Sequence, residues 1–83
     1  MEIITNQSFE LITSDLEILG GKPCIKGTRI SIDMILEWFA TGATIQDIIK
    51  TYNNLNEQSI IQALLYAANR IKNESYFELK KTA

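Results

Sequence analysis

Thr44-Ile45-Gln46-Asp47-Ile48-Ile49-Lys50-Thr51-Tyr52-Asn53-Asn54-Leu55-Asn56-Glu57-Gln58-Ser59-Ile60 holds one short helix and the start of the next. Thr44 is an N-cap residue with Asp47 at the capping-box position, and Ile45, Ile48, Ile49 and Tyr52 recur at the spacing of a helix's buried side. The pattern predicts a short helix over Ile45–Tyr52. Asn53-Asn54-Leu55 breaks it, Asn56 caps again, and Glu57 sits where a helix dipole is positive. Ile60, Leu64, Ala67, Ala68 and Ile71 then form an apolar stripe, so the longest element is expected over Glu57–Lys72. Two capped helices joined by so short a turn make a helix-turn-helix pattern, although an ordinary small helical bundle has the same periodicity.

Toward the amino terminus the signals change character. Ser31 caps a further helix with Asp33 in its first turn, and Ile32, Ile35, Leu36 and Phe39 supply its stripe before Gly42 ends it, which predicts Ile32–Thr41. Before that comes Gly20-Gly21-Lys22-Pro23-Cys24-Ile25-Lys26-Gly27-Thr28-Arg29-Ile30, with three of the four glycines, the only proline and the only cysteine. Such a segment has a fixed, non-helical shape. Gly20-Gly21 suits a left-handed exit from a single turn over Leu16–Leu19 that Ser14-Asp15 would cap, and Lys26-Gly27 suits a tight hairpin. Residues 3–13 mix β-branched and polar types without helical spacing, as short strands or an extended arm would. The expected fold is mainly α: a three-helix, homeodomain-like helix-turn-helix core over 31–72, an arm or short β-hairpin over 1–30, and a tail over 73–83.

The 83 residues make one small domain, which buries roughly 60–65% of the surface its unfolded chain exposes. With no disulfide or metal framework to brace it, a homodimer is the expected source of further stability. One cysteine and no histidine exclude an internal disulfide and the usual Cys/His zinc site, so neither metal nor cofactor is expected. No basic leader precedes an apolar stretch and no apolar run approaches the ~20 residues of a membrane span, which makes a cytoplasmic protein without a membrane partner the expectation. The net charge of −2 argues against a generally basic coat, but charge is uneven. Residues 1–21 hold Glu2, Glu10, Asp15 and Glu17 and no base, whereas Lys22, Lys26 and Arg29 follow with no acid among them. Any phosphate binding falls to local patches.

On a helical wheel the third helix turns Gln58, Ser59, Gln62, Tyr66, Asn69, Arg70 and Asn73 away from the stripe. Gln58, Ser59 and Gln62 lie near its start, where recognition helices touch bases, and amides and hydroxyls can read base edges; any surface helix also carries such residues. Lys22, Lys26 and Arg29 are candidates for phosphate contact, the alternative for Lys26 and Arg29 being pairing with the acidic amino-terminal segment. Lys22 precedes Pro23 and no glycine stands where a P-loop needs one. Cys24 has no histidine to activate it and reads as a buried small hydrophobe, while Asp33 and Glu37 read as a solvated helix face. No catalytic constellation emerges, and the chain is not expected to be an enzyme. Met34 and Trp38 add a second apolar stripe to the first helix, and Ile61 and Leu65 add one to the third. Together with Tyr76 and Phe77 of the tail they are candidates for a dimer or partner surface, wider burial within the domain being the alternative.

The run from Asp15 to Ile30, with its Gly-Lys-Pro-x-Ile-x-Gly-Thr-Arg-Ile core, resembles the signature of a small bacterial and archaeal family known as domain of unknown function 433. Gly42-Ala43-Thr44, Ile48, Ile49, Tyr52, Leu55 and Ala63-Leu64-Leu65-Tyr66-Ala67-Ala68 continue the likeness, which covers about residues 11–72. Asn53 stands where such proteins commonly have proline. The resemblance implies a helix-turn-helix antitoxin of a toxin–antitoxin pair: a DNA-binding repressor of its own operon that also neutralises a PIN-like ribonuclease toxin. A protein-interaction or scaffolding module without specific DNA binding is the alternative.

Overall fold

Three side-chain caps set the helices. In the computed structural model, which describes residues 9–72, α1 spans Ile32–Ala40, α2 Ile45–Thr51 and α3 Glu57–Lys72. Ser31, buried at the head of α1, accepts the Met34 N–H at 3.2 Å and donates its hydroxyl to the Asp33 carboxylate. Thr44 and Asp47 close a reciprocal capping box on α2: the hydroxyl oxygen accepts the Asp47 N–H at 3.1 Å, and the carboxylate accepts the Thr44 N–H at 2.9 Å. On α3 the Asn56 Oδ1 accepts the Ser59 N–H at 2.9 Å, while the Ser59 Oγ accepts the Asn56 N–H at 3.1 Å. α3 starts at the residue read from the sequence and is helical through Lys72, the last described residue. α1 and α2 each stop one residue short, because Thr41 and Tyr52 serve as C-caps with non-helical angles.

The amino-terminal part is a small β structure laid on this frame. β1 (Ile12–Thr13) pairs antiparallel with β2 (Cys24–Ile25), Ile12 opposite Ile25 and Thr13 opposite Cys24. Cys24 also bridges to Ser31, so the segment after β2 doubles back at once. That tight turn is the one Lys26-Gly27 predicts. The Ile25 N–H donates to the Ile30 carbonyl at 3.0 Å, Gly27 takes φ +80°, and the Thr28 hydroxyl donates to the Ile25 carbonyl at 2.8 Å. The connection from β1 differs from expectation, for no helical turn forms over Leu16–Leu19. Asp15 accepts the Glu17 N–H at 2.9 Å and its carbonyl takes the Ile18 N–H at 2.8 Å, closing a reverse turn. Leu19, Gly20 and Gly21, all at positive φ, then carry the chain round.

The core lies where α1, α2, α3 and β2 meet. Ile35, Ile60 and Ala63 are wholly enclosed, Ile25, Ile30, Ile32 and Ile48 nearly so, and Leu55 plugs the α2–α3 turn. α3 buries Ser59, Ile60, Ala63 and Ala67, whereas Ala68 and Ile71 of the expected stripe are exposed. Its inward face is therefore turned toward Ser59 and Ala63. Phe9, Leu11 and the paired strands pack on that side as a further layer, and a stripe judged from α3 alone leaves this layer out. Among the described residues no helix is long and apolar enough to cross a membrane.

Candidate nucleic-acid interface

The three residues expected to meet bases are divided by this rotation of α3. Gln58 is exposed in the first turn. Ser59 is not on the outward face: it is 5% exposed, and its hydroxyl donates to the Asn56 carbonyl at 2.8 Å, so it caps the helix. Gln62 is half-buried and its Oε1 accepts the Leu11 N–H at 3.0 Å. Gln62 thus fastens the amino-terminal segment to α3. One turn further on, the Phe9 ring meets Tyr66 edge to face, with centroids 5.3 Å apart. Neither Phe9 nor Leu11 stood out in the sequence. An Asn three positions before Ser59 was a legible sign of the cap.

The basic segment divides in a similar way. Lys22 donates to Asp33 at 3.2 Å, an ion pair in which both side chains stay more than half exposed. It thereby joins the cap of α1 rather than standing free for phosphate. Lys26 and Arg29 are exposed on the tight turn. The Lys26 N–H donates to the Leu11 carbonyl at 2.8 Å, and the Leu11 N–H donates to Gln62. This relay seats the basic turn beside the first half of α3. Gln58, one helical turn before Gln62, occupies the same flank.

Local fields follow from these contacts. The Ser31 hydroxyl and then Lys22 hold the Asp33 carboxyl below its ordinary value, and the Thr44 backbone and side-chain groups do the same for Asp47. Burial and the nearby Asp15 push the Cys24 thiol up, opposed by Arg29. Its Sγ donates weakly to the Thr28 carbonyl at 3.6 Å and the side chain is fully enclosed, as a small core residue should be.

Of the apolar candidates, Trp38 has an internal partner: its ring stacks on Tyr52 at 4.8 Å and 11°, against the core. Met34, Ile61 and Leu65 are half-buried. By helical spacing Ile61 and Leu65 share the outer side of α3 with Gln58. Tyr76 and Phe77 lie outside the described residues.

The same arrangement occurs elsewhere. A crystal structure of a DUF433 member protein from Anabaena variabilis superposes with a TM-score of 0.71 at 21% identity, covering 75% of this chain and 61% of that one; the likeness is one of fold. "Uncharacterized protein y4eO" of Sinorhizobium fredii is 31% identical over 58 residues, which make up 70% of this chain but 26% of the relative's length. The chain thus spans about a quarter of the curated relative it matches. The model of the family described as "Protein of unknown function (DUF433)" matches residues 12–67, from β1 to the last buried residue of α3, and the chain belongs to that family.

Proposed function

We propose that this chain is a helix-turn-helix DNA-binding protein of antitoxin type, which as a homodimer represses its own operon and neutralises a PIN-like ribonuclease. The observation that carries the DNA-binding half is the Lys26–Leu11–Gln62 relay. It ties an exposed basic turn to the flank of the second helix of a helix-turn-helix, alongside the exposed Gln58. A cationic turn beside a helix start pairs the two contacts a duplex offers, phosphates for position and base edges for sequence. Gln58 is the base-reading residue in this proposal, and Lys26 and Arg29 are the phosphate contacts. Ser59 and Gln62 hold the helix and the hairpin in place. The nuclease partner rests on what the resemblance of the Asp15–Ile30 signature implies.

Anisotropy titrations of the full chain on duplex from its own promoter test the first half. Two subunits with two cations each predict a log–log salt slope of about −3 to −4, cut by about 2 when Lys26 or Arg29 becomes Ala in both subunits. Gln58→Ala would lower the preference over scrambled duplex about tenfold or more. Equal affinity for promoter and scrambled DNA removes the proposal. For the second half, a small acidic-site nuclease encoded in the adjacent frame should co-purify with this chain and lose activity in the complex; failure to associate removes the antitoxin role.

One observation favours a second reading, a protein-interaction module without specific DNA contact. Ile61 and Leu65 give the outer side of α3 an apolar character, more usual in a protein interface than in a groove-reading helix.

A further inference from the structure

Four large apolar side chains lie open to solvent among the described residues: Leu16 at 84% exposure, Ile71 at 60%, Leu36 at 38% and Leu19 at 37%. Scattered singly they would need no explanation. They fall instead into two groups of opposite shape. Leu36 and Ile71, with Pro23, Tyr66 and Ala67, wall an open apolar groove of about 290 Å³ between α1 and the second half of α3. Leu16 and Leu19 stand on the reverse turn that follows β1.

Turn and groove are neighbours on the surface. The Leu16 Cδ2 lies 3.1 Å from where a Gly21 Cβ would stand, and the chain runs on from Gly21 to Lys22 and Pro23, both of which border the groove. Between them Leu19 is held at φ +54°, a left-handed angle uncommon for leucine; strained backbone of this kind gathers at binding surfaces. One continuous patch thus carries both an apolar projection and an apolar recess. A two-fold axis through such a patch seats each projection in the other copy's recess.

Charge agrees with that pairing. Exposed Asp15 and Glu17 flank Leu16, whereas the groove's rim carries Arg70 and the Lys22–Asp33 ion pair, two cations against one acid. An acidic turn and a rim with surplus positive charge steer toward each other. We infer that a second copy of this chain covers the groove, its Leu16–Leu19 turn seated between α1 and α3, and that the exchange is reciprocal. This rests on the homodimer of the reading above and gives it an interface. Gln58 stays clear of that interface, about 20 Å from Ile71 along α3.

Sedimentation equilibrium on the full chain, without DNA or nuclease, tests the inference. Leu16→Ser and Ile71→Ser alter exposed side chains and should leave the fold intact, checked by circular dichroism. Each should raise the dimer dissociation constant about tenfold or more. An equimolar mixture of the two variants should associate more tightly than either alone, because one of its two reciprocal contacts is then unaltered. In a mixed sample of isotope-labelled and unlabelled parent chains, cross-relaxation between chains should join the Leu16 methyl groups to the Tyr66 ring; its absence overturns the inference and needs no variant. A parent dimer that neither variant weakens overturns the inference and leaves the homodimer standing. Variants whose mixture regains nothing overturn it in favour of like surfaces meeting. A parent chain that stays monomeric at high micromolar concentration removes the homodimer and the inference together.

Discussion

Gln62 accepts the backbone N–H of Leu11 at 3.0 Å across 51 positions of sequence, and so binds the residues just before β1 to α3. Removing that acceptor leaves a partly buried N–H without its partner. Gln62→Ala should cost about 1–2 kcal/mol in urea unfolding and speed exchange of the Leu11 amide. Gln58→Ala, on the same flank but exposed, should stay within about 0.5 kcal/mol of the parent. Equal stability of the two variants would mean that the contact does not hold the layers together.

Asn56 and Ser59 exchange three hydrogen bonds at the head of α3. Asn56→Ala and Ser59→Ala should each destabilise by about 1 kcal/mol or slightly more. Because either change dismantles the same cap, the double variant should lose less than the sum. Strict additivity in denaturant titrations would count against a reciprocal cap.

Asp33 and Asp47 both ionise more easily in the folded chain than in the unfolded one, through the hydroxyl of Ser31 and the groups of Thr44 respectively. A depressed folded value means that the unfolded chain takes up protons first on acidification. The stability they supply is complete above the ordinary carboxylate range and is lost as pH falls through the lower folded values. Urea midpoints should therefore decline below about pH 4 to 5, and Asp47→Asn should flatten part of the decline. A midpoint independent of pH there would contradict the capping geometry.

Gly27 lies at φ +80° with open space where a Cβ would stand. The expected cost of Gly27→Ala, about 1–2 kcal/mol, thus comes from backbone handedness and not from collision. Gly27→Asn should cost less, since asparagine tolerates that region better. If thermal melts rank the two in the opposite order, the turn is not built on a left-handed residue.

The helices were legible because their punctuation is local. Ser31, Thr44 and Asn56 each act within three positions of themselves, and α3 starts where it is expected to. The tight turn at Gly27 was legible for the same reason. The rotation of α3 was not, since it depends on Phe9 and Leu11 arriving from the other end of the chain. That is why Ser59 reads as a surface hydroxyl and proves to be a buried cap, and why Ile71 reads as core and proves exposed. Lys22 reads as a free cation because Asp33 lies beyond the hairpin, and only the fold brings the pair together. Trp38 reads equally as interface or interior until the fold brings Tyr52 against it.

That last pair equips the molecule with an optical probe. Trp38 is the chain's one tryptophan, and Tyr52 is its stacked neighbour at the exit of α2. Intrinsic emission therefore reports from the α1–α2 seam, while the hairpin mounted on α3 is followed through the exchange of its amide protons. Loosening of the two halves can be timed separately in the unlabelled, unaltered protein.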